Sequence, residues 1–326
     1  MAGKMSRRDF VKDSIIASAA VAGTLGATAA GAAEKAKDKP GAKPEMTIED
    51  AAKQPMPRGK IGDVELSRLM LGGNLISGYS HSRELTYVSA LMRRYNTDEK
   101  ILETLRIAEE NGVDSINTAV WDDLSVLQKH LREGSKMKWF IAANPDRNGN
   151  MDQVKKAVEN GADVIYIQGQ CADKLRSEGL LDLIGQEIEC IHSYNLPAGV
   201  AAHSLDTIIA CEKAGFNPDF YQKTLHTHDY FTAPKPPVTE DMGKDDNFWC
   251  KDPQAVIDYM AGIKIPWIAF KVMAAGAIPP HRGFQHALNG GADFVLAGMF
   301  DWQIVDDVRY FKTAMAKVER TRPWFS

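Results

Sequence analysis

Short apolar runs alternate with amphipathic segments from “SRLMLGGN” to the end of the chain. The apolar runs carry few charges, as in “KWFIAANP”, “DVIYIQGQ” and “DFVLAGMF”. Strands buried on both faces have this composition, which is typical of a parallel sheet covered by helices. Between the runs, segments such as “DEKILETLRIAEENG” place apolar side chains on one helical face and charges on the other. The pattern therefore predicts strands that alternate with helices.

A recurrent phrase joins these elements, in the forms “ENGVD”, “ENGAD”, “KAGFN” and “NGGAD”. Each ends a helical pattern with a glycine suited to a left-handed C-cap and then opens an apolar run. Eight strands alternating with helices predict an α/β fold, the (β/α)8 or TIM barrel. Ahead of the first strand, “RGKIGDVELSRL” alternates around Gly62 and Asp63, which predicts a β-hairpin at the bottom of the barrel.

The N-terminus has the order of an export signal. A charged stretch, “SRRDFVK”, precedes a weakly apolar run that ends in small residues suited to cleavage. The pair Arg7 and Arg8, followed by Phe10 and Lys12, resembles the twin-arginine (Tat) signal. We therefore expect residues 1–33 to be a signal peptide, the Tat machinery to be a partner, and the mature protein to be periplasmic or otherwise exported. The apolar run is too short and too rich in Gly and Ala for a stable membrane span.

The rest of the chain is predicted to hold one domain. Residues 34–57 are rich in Ala, Lys, Glu, Asp and Pro without apolar periodicity, which predicts a flexible linker before a barrel over 58–326. Loss of the signal removes four basic and two acidic residues and takes the formal charge from −4 to −6. This acidic balance argues against nucleic acid as a partner. The four cysteines show no CxxC spacing, and Cys190 and Cys211 are expected to be buried thiols.

Polar residues follow the predicted strands at their carboxyl ends, where TIM barrels carry their chemistry. They are Asn74, Asn117, Asn144, Gln168, His203, His226, His228 and Lys271. Long loops over 77–96 and 229–251 follow the first and sixth strands, and loops of this length are often lids or binding elements. We therefore expect a site for a small-molecule substrate at this end of the barrel.

The segments “SRLMLGGN”, “GVDSINTA” and “WIAFKVMAAGAIPPHRGFQHALNGGADFVLAGMFDWQIVDD” resemble aldo-keto reductases. The resemblance implies a TIM barrel and a family that reduces carbonyls with a nicotinamide cofactor and an Asp-Tyr-Lys-His tetrad. The matched positions are Asn117, Asp122, Ala143 or Asn144, and Gln168, so all four differ. The segment “GMFDWQIVDD” is acidic where a cluster of Lys and Arg would hold a 2′-phosphate. Proton delivery to a carbonyl then needs another donor, and NADP is less expected than a rebuilt centre.

Three histidines form a candidate metal site. Period 2 in “KTLHTHDYF” puts His226 and His228 on one face of the sixth strand, and His203 ends the fifth. Three neutral imidazoles suit Zn²⁺ or another divalent transition metal, with Asp229 as a candidate fourth ligand. In the alternative interpretation, one histidine bonds the substrate and another caps a loop.

Lys271 lies in the apolar run “PWIAFKVMAA”, where a charge is costly unless it is paired or its pKa falls. A lysine in that place acts as a general base, forms a Schiff base or holds a substrate oxygen, unless it makes a structural ion pair. We predict His226 and Lys271 as the catalytic residues. Neutral amides and one aromatic face are the predicted substrate contacts: Asn74, Asn117, Trp121, Asn144 and Gln168.

Three functions stay open from the sequence. The first is an exported enzyme with lyase, isomerase or hydrolase chemistry on a small polar carbonyl or sugar-type substrate, with or without a metal. The second is an oxidoreductase that carries tightly bound NADP. The third is a sugar-binding protein of the cell envelope without catalysis.

Overall fold

The computed structural model describes residues 47–79, 85–241 and 248–326. The predicted signal peptide and the first part of the predicted linker lie outside these residues. The hairpin is present as expected, with β1 (Arg58–Ile61) antiparallel to β2 (Val64–Ser67). Ile61 and Leu66 of the hairpin are fully buried in the cluster that fills the barrel. The hairpin thus closes one end of the barrel.

Eight parallel strands form a closed barrel in chain order, and β10 pairs with β3 to complete it. These strands are β3 (Leu69–Gly72), β4 (Ser115–Ala119), β5 (Lys138–Ala143), β6 (Val164–Ile167), β7 (Ala198–Ala202), β8 (Phe220–Thr224), β9 (Trp267–Phe270) and β10 (Phe294–Ala297). Nearly every strand residue is buried, because helices cover the outer face and side chains fill the inner one. The predicted TIM barrel is confirmed.

Amphipathic helices cover the strands. Their bounds are α1 (Ile48–Lys53), α2 (Val88–Tyr95), α3 (Asp98–Glu110), α4 (Ser125–Arg132), α5 (Asp152–Glu159), α6 (Gly169–Ser177), α7 (Asp182–Ser193), α8 (Leu205–Ala214), α9 (Pro253–Met260), α10 (Pro280–Asn289) and α11 (Asp301–Ala316). The glycines of the recurrent phrase, Gly112, Gly161, Gly215 and Gly291, all have positive φ, as their C-cap role requires. None of the described helices is both long enough and apolar enough to cross a bilayer.

The linker prediction fails from Ile48 onward, because α1 occupies its last part. The Thr47 side chain caps this helix by accepting from the Asp50 backbone N–H, and Ala51 is fully buried. Lys312 of α11 donates to the Ala52 carbonyl at 3.4 Å. A cap and one buried face are enough to order a short helix against a neighbour, although its composition reads as polar.

Side chains fill the barrel in layers. Phe140, Phe220 and Phe294 pack near the hairpin, and the rings of Phe140 and Phe220 meet edge to face at 5.8 Å. Further toward the carboxyl ends, Ala142 and Ala201 are small. The barrel is therefore sealed at the hairpin end by aromatic side chains, and we call the opposite end the mouth.

A buried ionic cluster ties the C-terminus to the base of the barrel. The Asp293 carboxylate is fully buried and accepts from the Trp267 backbone N–H at 3.0 Å and from Arg322 Nη1 at 2.6 Å. Arg320 Nη2 lies 3.3 Å from the same carboxylate. The two guanidiniums also donate to backbone carbonyls, including that of Gly291. Desolvated charges of this kind are stable only while each keeps its partners.

We expect Asp293→Asn to lower the free energy of unfolding by about 3 kcal/mol or more, because it leaves two buried guanidiniums without a counter-charge. Urea unfolding measures this loss. Asp63→Asn in the exposed hairpin turn is the control and should change stability little. Equal unfolding midpoints for the two variants would contradict the structural role of Asp293.

Candidate active site

An aspartate–histidine pair lies at the carboxyl end of β7. Asp173 of α6 accepts from both the backbone N–H and the ring Nδ1 of His203, at 2.8 and 3.1 Å. Its other oxygen accepts from the Thr207 hydroxyl at 2.7 Å and the Ser204 backbone N–H at 3.2 Å. The carboxylate therefore holds the His203 ring in one orientation and one tautomer, with the proton on Nδ1 and a lone pair on Nε2.

Burial sets the charge of this ring. His203 is 6 % exposed, and its burial lowers its pKa, an effect that Asp173 opposes and the nearby Lys271 charge reinforces. The ring is thus neutral at neutral pH and can accept a proton on Nε2. A neutral imidazole oriented by a carboxylate is suited to general-base catalysis.

Lys271 and His203 both lie against the ring of Trp249. Lys271 Nζ lies 3.6 Å from the centroid of the Trp249 ring, and the His203 ring lies 4.9 Å from it. Phe270, the last residue of β9, also packs on His203, at 5.5 Å. The backbone of Lys271 is left-handed, with φ of 57°, so the chain turns sharply as it leaves β9. The structure therefore brings together two predicted site residues, His203 and Lys271.

The ring of His226, our predicted catalytic residue and metal ligand, is held by backbone groups. Its side chain is fully buried, Nδ1 lies 3.0 Å from the Thr227 carbonyl, and Nε2 accepts from the Trp249 backbone N–H at 3.0 Å. Both ring nitrogens are therefore engaged by the backbone. His228 is similar, because its Nε2 donates to the Cys250 carbonyl at 2.8 Å. The two histidines hold the segment that carries Trp249 in place.

The three-histidine metal site is not formed. Across 47–79, 85–241 and 248–326, no three side chains of His, Cys, Asp or Glu lie close enough to hold a metal ion. Asp229, the candidate fourth ligand, is exposed and pairs with Arg282. The sixth barrel strand, β8, ends at Thr224, so His226 and His228 follow the strand and do not lie on its face as predicted. Their ring centroids are 6.3 Å apart, and backbone groups take nitrogens that a metal would need.

Thr224 at the end of β8 adds another anchor for the Trp249 segment. Its hydroxyl lies 2.6 Å from the Trp249 carbonyl and accepts from Lys223 Nζ at 2.8 Å. Lys223 is 1 % exposed, and its burial lowers its pKa. The strand end thus fixes the loop through one shared hydroxyl.

Two predicted substrate contacts serve the backbone instead. Asn144 Oδ1 accepts from the Gln168 N–H at 3.1 Å, and Gln168 Oε1 accepts from the Cys171 N–H at 3.2 Å, which caps α6. Asn74 and Trp121 lie on loops after β3 and β4 and are exposed, Trp121 by 43 %. They are placed on the mouth side of the barrel, as predicted, and are open to solvent.

Asn117 belongs to a polar chain inside the barrel that we did not predict. Tyr166 donates its hydroxyl to Asn117 Oδ1 at 2.6 Å, and Asn117 Nδ2 donates to Gln222 Oε1 at 3.2 Å. The alternation of the strands carries a signal for this chain, because side chains two residues apart on a strand point to the same face. Tyr166 lies two residues before Gln168, and Gln222 lies two residues before Thr224. Asp173 gave no such signal, because it lies within a helix.

The positions matched to the reductase tetrad do not fit that chemistry. Asp122 stands where the family has tyrosine; its carboxylate accepts from the Ala119 N–H at 3.1 Å, and burial raises its pKa. Asn117 is bonded inside the barrel, and Asn144 and Gln168 are bonded to backbone groups. These four positions supply no tyrosine–lysine pair to protonate a carbonyl. The residues at these four positions therefore do not support hydride transfer of the family's usual kind.

The fold is that of a TIM barrel similar to aldo-keto reductases. A “putative aldo-keto reductase” from Pseudomonas aeruginosa matches with a TM-score of 0.56 and 15% identity, over 82% of this chain and 99% of that one. A second structure with that description and organism gives 0.55 and 15%, over 81% and 98%. A mandelate oxidase matches at 0.43 and 13%, over 82% and 77%. No family model and no curated protein matches the chain. At these identities the likeness shows the fold alone.

We expect His226 to make stability depend on pH. Burial lowers its pKa from 6.5 to about 4, so the unfolded chain binds a proton between these values that the folded chain does not. Stability therefore falls as pH falls through this window, by on the order of 3 kcal/mol from this residue. His226→Leu should lose less stability than the parent protein between about pH 7 and about pH 5 in urea unfolding. The exposed His281→Leu is the control, and an unchanged slope in His226→Leu would refute the assignment.

Proposed function

We propose that this chain is an exported TIM-barrel enzyme that moves a proton on a small polar carbonyl or sugar-type substrate, as isomerases and lyases do. The observation that carries the proposal is the His203 ring, oriented by Asp173 and placed with Lys271 on the Trp249 ring. A base and a cation at one strand-end site match what proton abstraction beside a carbonyl needs.

The roles follow from the geometry. His203 Nε2 removes a proton from the carbon next to the carbonyl, and the electron pair of that C–H bond moves toward the carbonyl oxygen. Lys271 donates a hydrogen bond to that oxygen and stabilises the negative charge that develops on it. The proton then returns from His203 to the same carbon, or to the former carbonyl carbon while the hydroxyl proton of the first carbon moves to the oxygen held by Lys271. Neither route consumes an oxidant or a reductant.

Trp249 supports both groups. Its ring faces the Lys271 ammonium, and such cation–π contacts favour the charged form of the amine. Its flat face also excludes water from His203, which keeps the imidazole neutral. The anchors from Thr224, His226 and His228 hold the segment of Trp249 over the mouth.

Proton exchange tests the proposal without knowledge of the natural substrate. In D₂O the enzyme should catalyse deuterium incorporation beside the carbonyl of at least one of D-xylulose, dihydroxyacetone and pyruvate, followed by proton NMR. His203→Asn and Lys271→Met should lower that rate by about 100-fold or more.

His192→Asn is the matched control, because His192 also pairs with an aspartate, Asp219 at 2.8 Å, but in the outer helical layer. Its exchange rate should equal that of the parent protein. Full rates in both site variants, or no exchange on any of the three compounds, would end the proposal.

Export rests on the N-terminal sequence. In a bacterial host with a Tat system, we expect replacement of both Arg7 and Arg8 by lysine to keep the precursor inside the cell, since the pathway requires the arginine pair. Cell fractionation and intact mass measure this. The parent protein should appear in the periplasm without residues 1–33, and export of the double variant at the parental rate would refute a Tat signal.

A further inference from the structure

We propose that the side-chain amide nitrogen of Gln222 recognises an oxygen of the substrate at the floor of the barrel mouth, with Tyr166 and Asn117 fixing its orientation. The proposal deepens the function given above, and it rests on that function for the position of the reacting carbonyl.

The order of donors in the polar chain sets the direction of the Gln222 amide. A phenol has one proton, and the Tyr166 hydroxyl gives it to Asn117 Oδ1 at 2.6 Å, a much shorter contact than its 3.4 Å to the Thr118 carbonyl. Asn117 must then turn its Nδ2 toward Gln222, whose Oε1 accepts at 3.2 Å. The nitrogen of Gln222 is thereby turned away from Asn117, with two N–H groups to donate.

This nitrogen lacks a protein partner. Gln222 is only 3 % exposed, yet its Nε2 makes no hydrogen bond within the described part of the chain. It is also not sealed in the protein interior, in contrast to the hydroxyls of Ser115 and Thr118. A donor that is almost fully buried and has no protein acceptor is poorly solvated, so an oxygen atom of a ligand is stabilised here.

The layers of the barrel relate Gln222 to the catalytic pair. Gln222 lies beside Ala201 of β7 and Ile268 of β9. His203 and Phe270 come two residues later on those strands, which is a rise of about 7 Å toward the mouth. The phenylalanine layer lies on the other side of Gln222, so a ligand that reaches this amide comes from the side of His203 and Lys271.

This spacing bears on the substrate class. A molecule that bonds Gln222 through one oxygen and presents a carbonyl to Lys271 must reach from the layer of Gln222 to the strand ends, a backbone rise of about 7 Å. Because Gln222 Nε2 can only donate, the distal oxygen must accept, as a hydroxyl or carbonyl does. The inferred ligand is therefore a short sugar or hydroxyketone with an acceptor oxygen remote from its carbonyl.

A pair of probes tests the inference by binding rather than by turnover. D-Xylulose and 5-deoxy-D-xylulose differ only in the distal hydroxyl. Calorimetric titration should show that the parent protein binds D-xylulose about 10-fold or more tightly than the deoxy compound, because the latter leaves the amide unpaired. Gln222→Met should bind the two probes equally.

Two further variants complete the design. Gln128→Met removes an amide that bonds Asn160 in the outer layer, at 2.9 Å, and should keep the parental preference. Tyr166→Phe keeps Gln222 but removes the hydroxyl that fixes its orientation, so the preference for D-xylulose should become smaller without disappearing. This variant tests the inference if Gln222→Met fails to fold. Absence of saturable D-xylulose binding, no preference in the parent protein, or a preference that survives Gln222→Met would overturn the inference.

The two proposals fail separately. If the preference depends on Gln222 while His203→Asn and Lys271→Met keep full exchange rates, the recognition site stands and the proton-transfer chemistry falls. If the site variants lose exchange and the preference does not depend on Gln222, the chemistry stands and the recognition site falls.

Discussion

The mouth of this barrel depends on one carboxylate, that of Asp173. It receives donors from the backbone of His203 and Ser204, from the His203 ring and from Thr207, and so connects α6, the end of β7 and the start of α8. Hydrogen bonds to a charged acceptor stabilise a structure more than hydrogen bonds to a neutral one. Here the bonds that join three elements also fix the tautomer of the His203 imidazole. Fold and chemistry therefore share a single group.

The loop after β8 is the second constraint on the site. Hydrogen bonds from Thr224, His226 and His228 hold the segment around Trp249, and the ring of Trp249 contacts both His203 and Lys271. His226 and His228, whose spacing of two residues suggested metal ligands, thus fix a loop. The neutral ring of His226 does this well, because it offers one donor and one acceptor to the backbone.

The sequence was enough to predict the fold and part of the site. The repeated glycine phrase and the two hydrophobic periods define a barrel, and strand ends mark His203 and Lys271, because both signals depend on local geometry. The use of His226 depends on what its ring nitrogens meet across the long loop, and no local pattern contains that. Asp173 reaches His203 from thirty positions earlier along the chain, within an ordinary amphipathic helix. The alternation of β8 was enough to place Gln222 inside the barrel, but it could not predict that Asn117 bonds the Gln222 side-chain oxygen.

The closed base of the barrel limits how the interior can be reached. The hairpin, the phenylalanine layer and the cluster around Asp293 together block passage through the central axis. A molecule that reaches the interior must therefore enter and leave through the mouth.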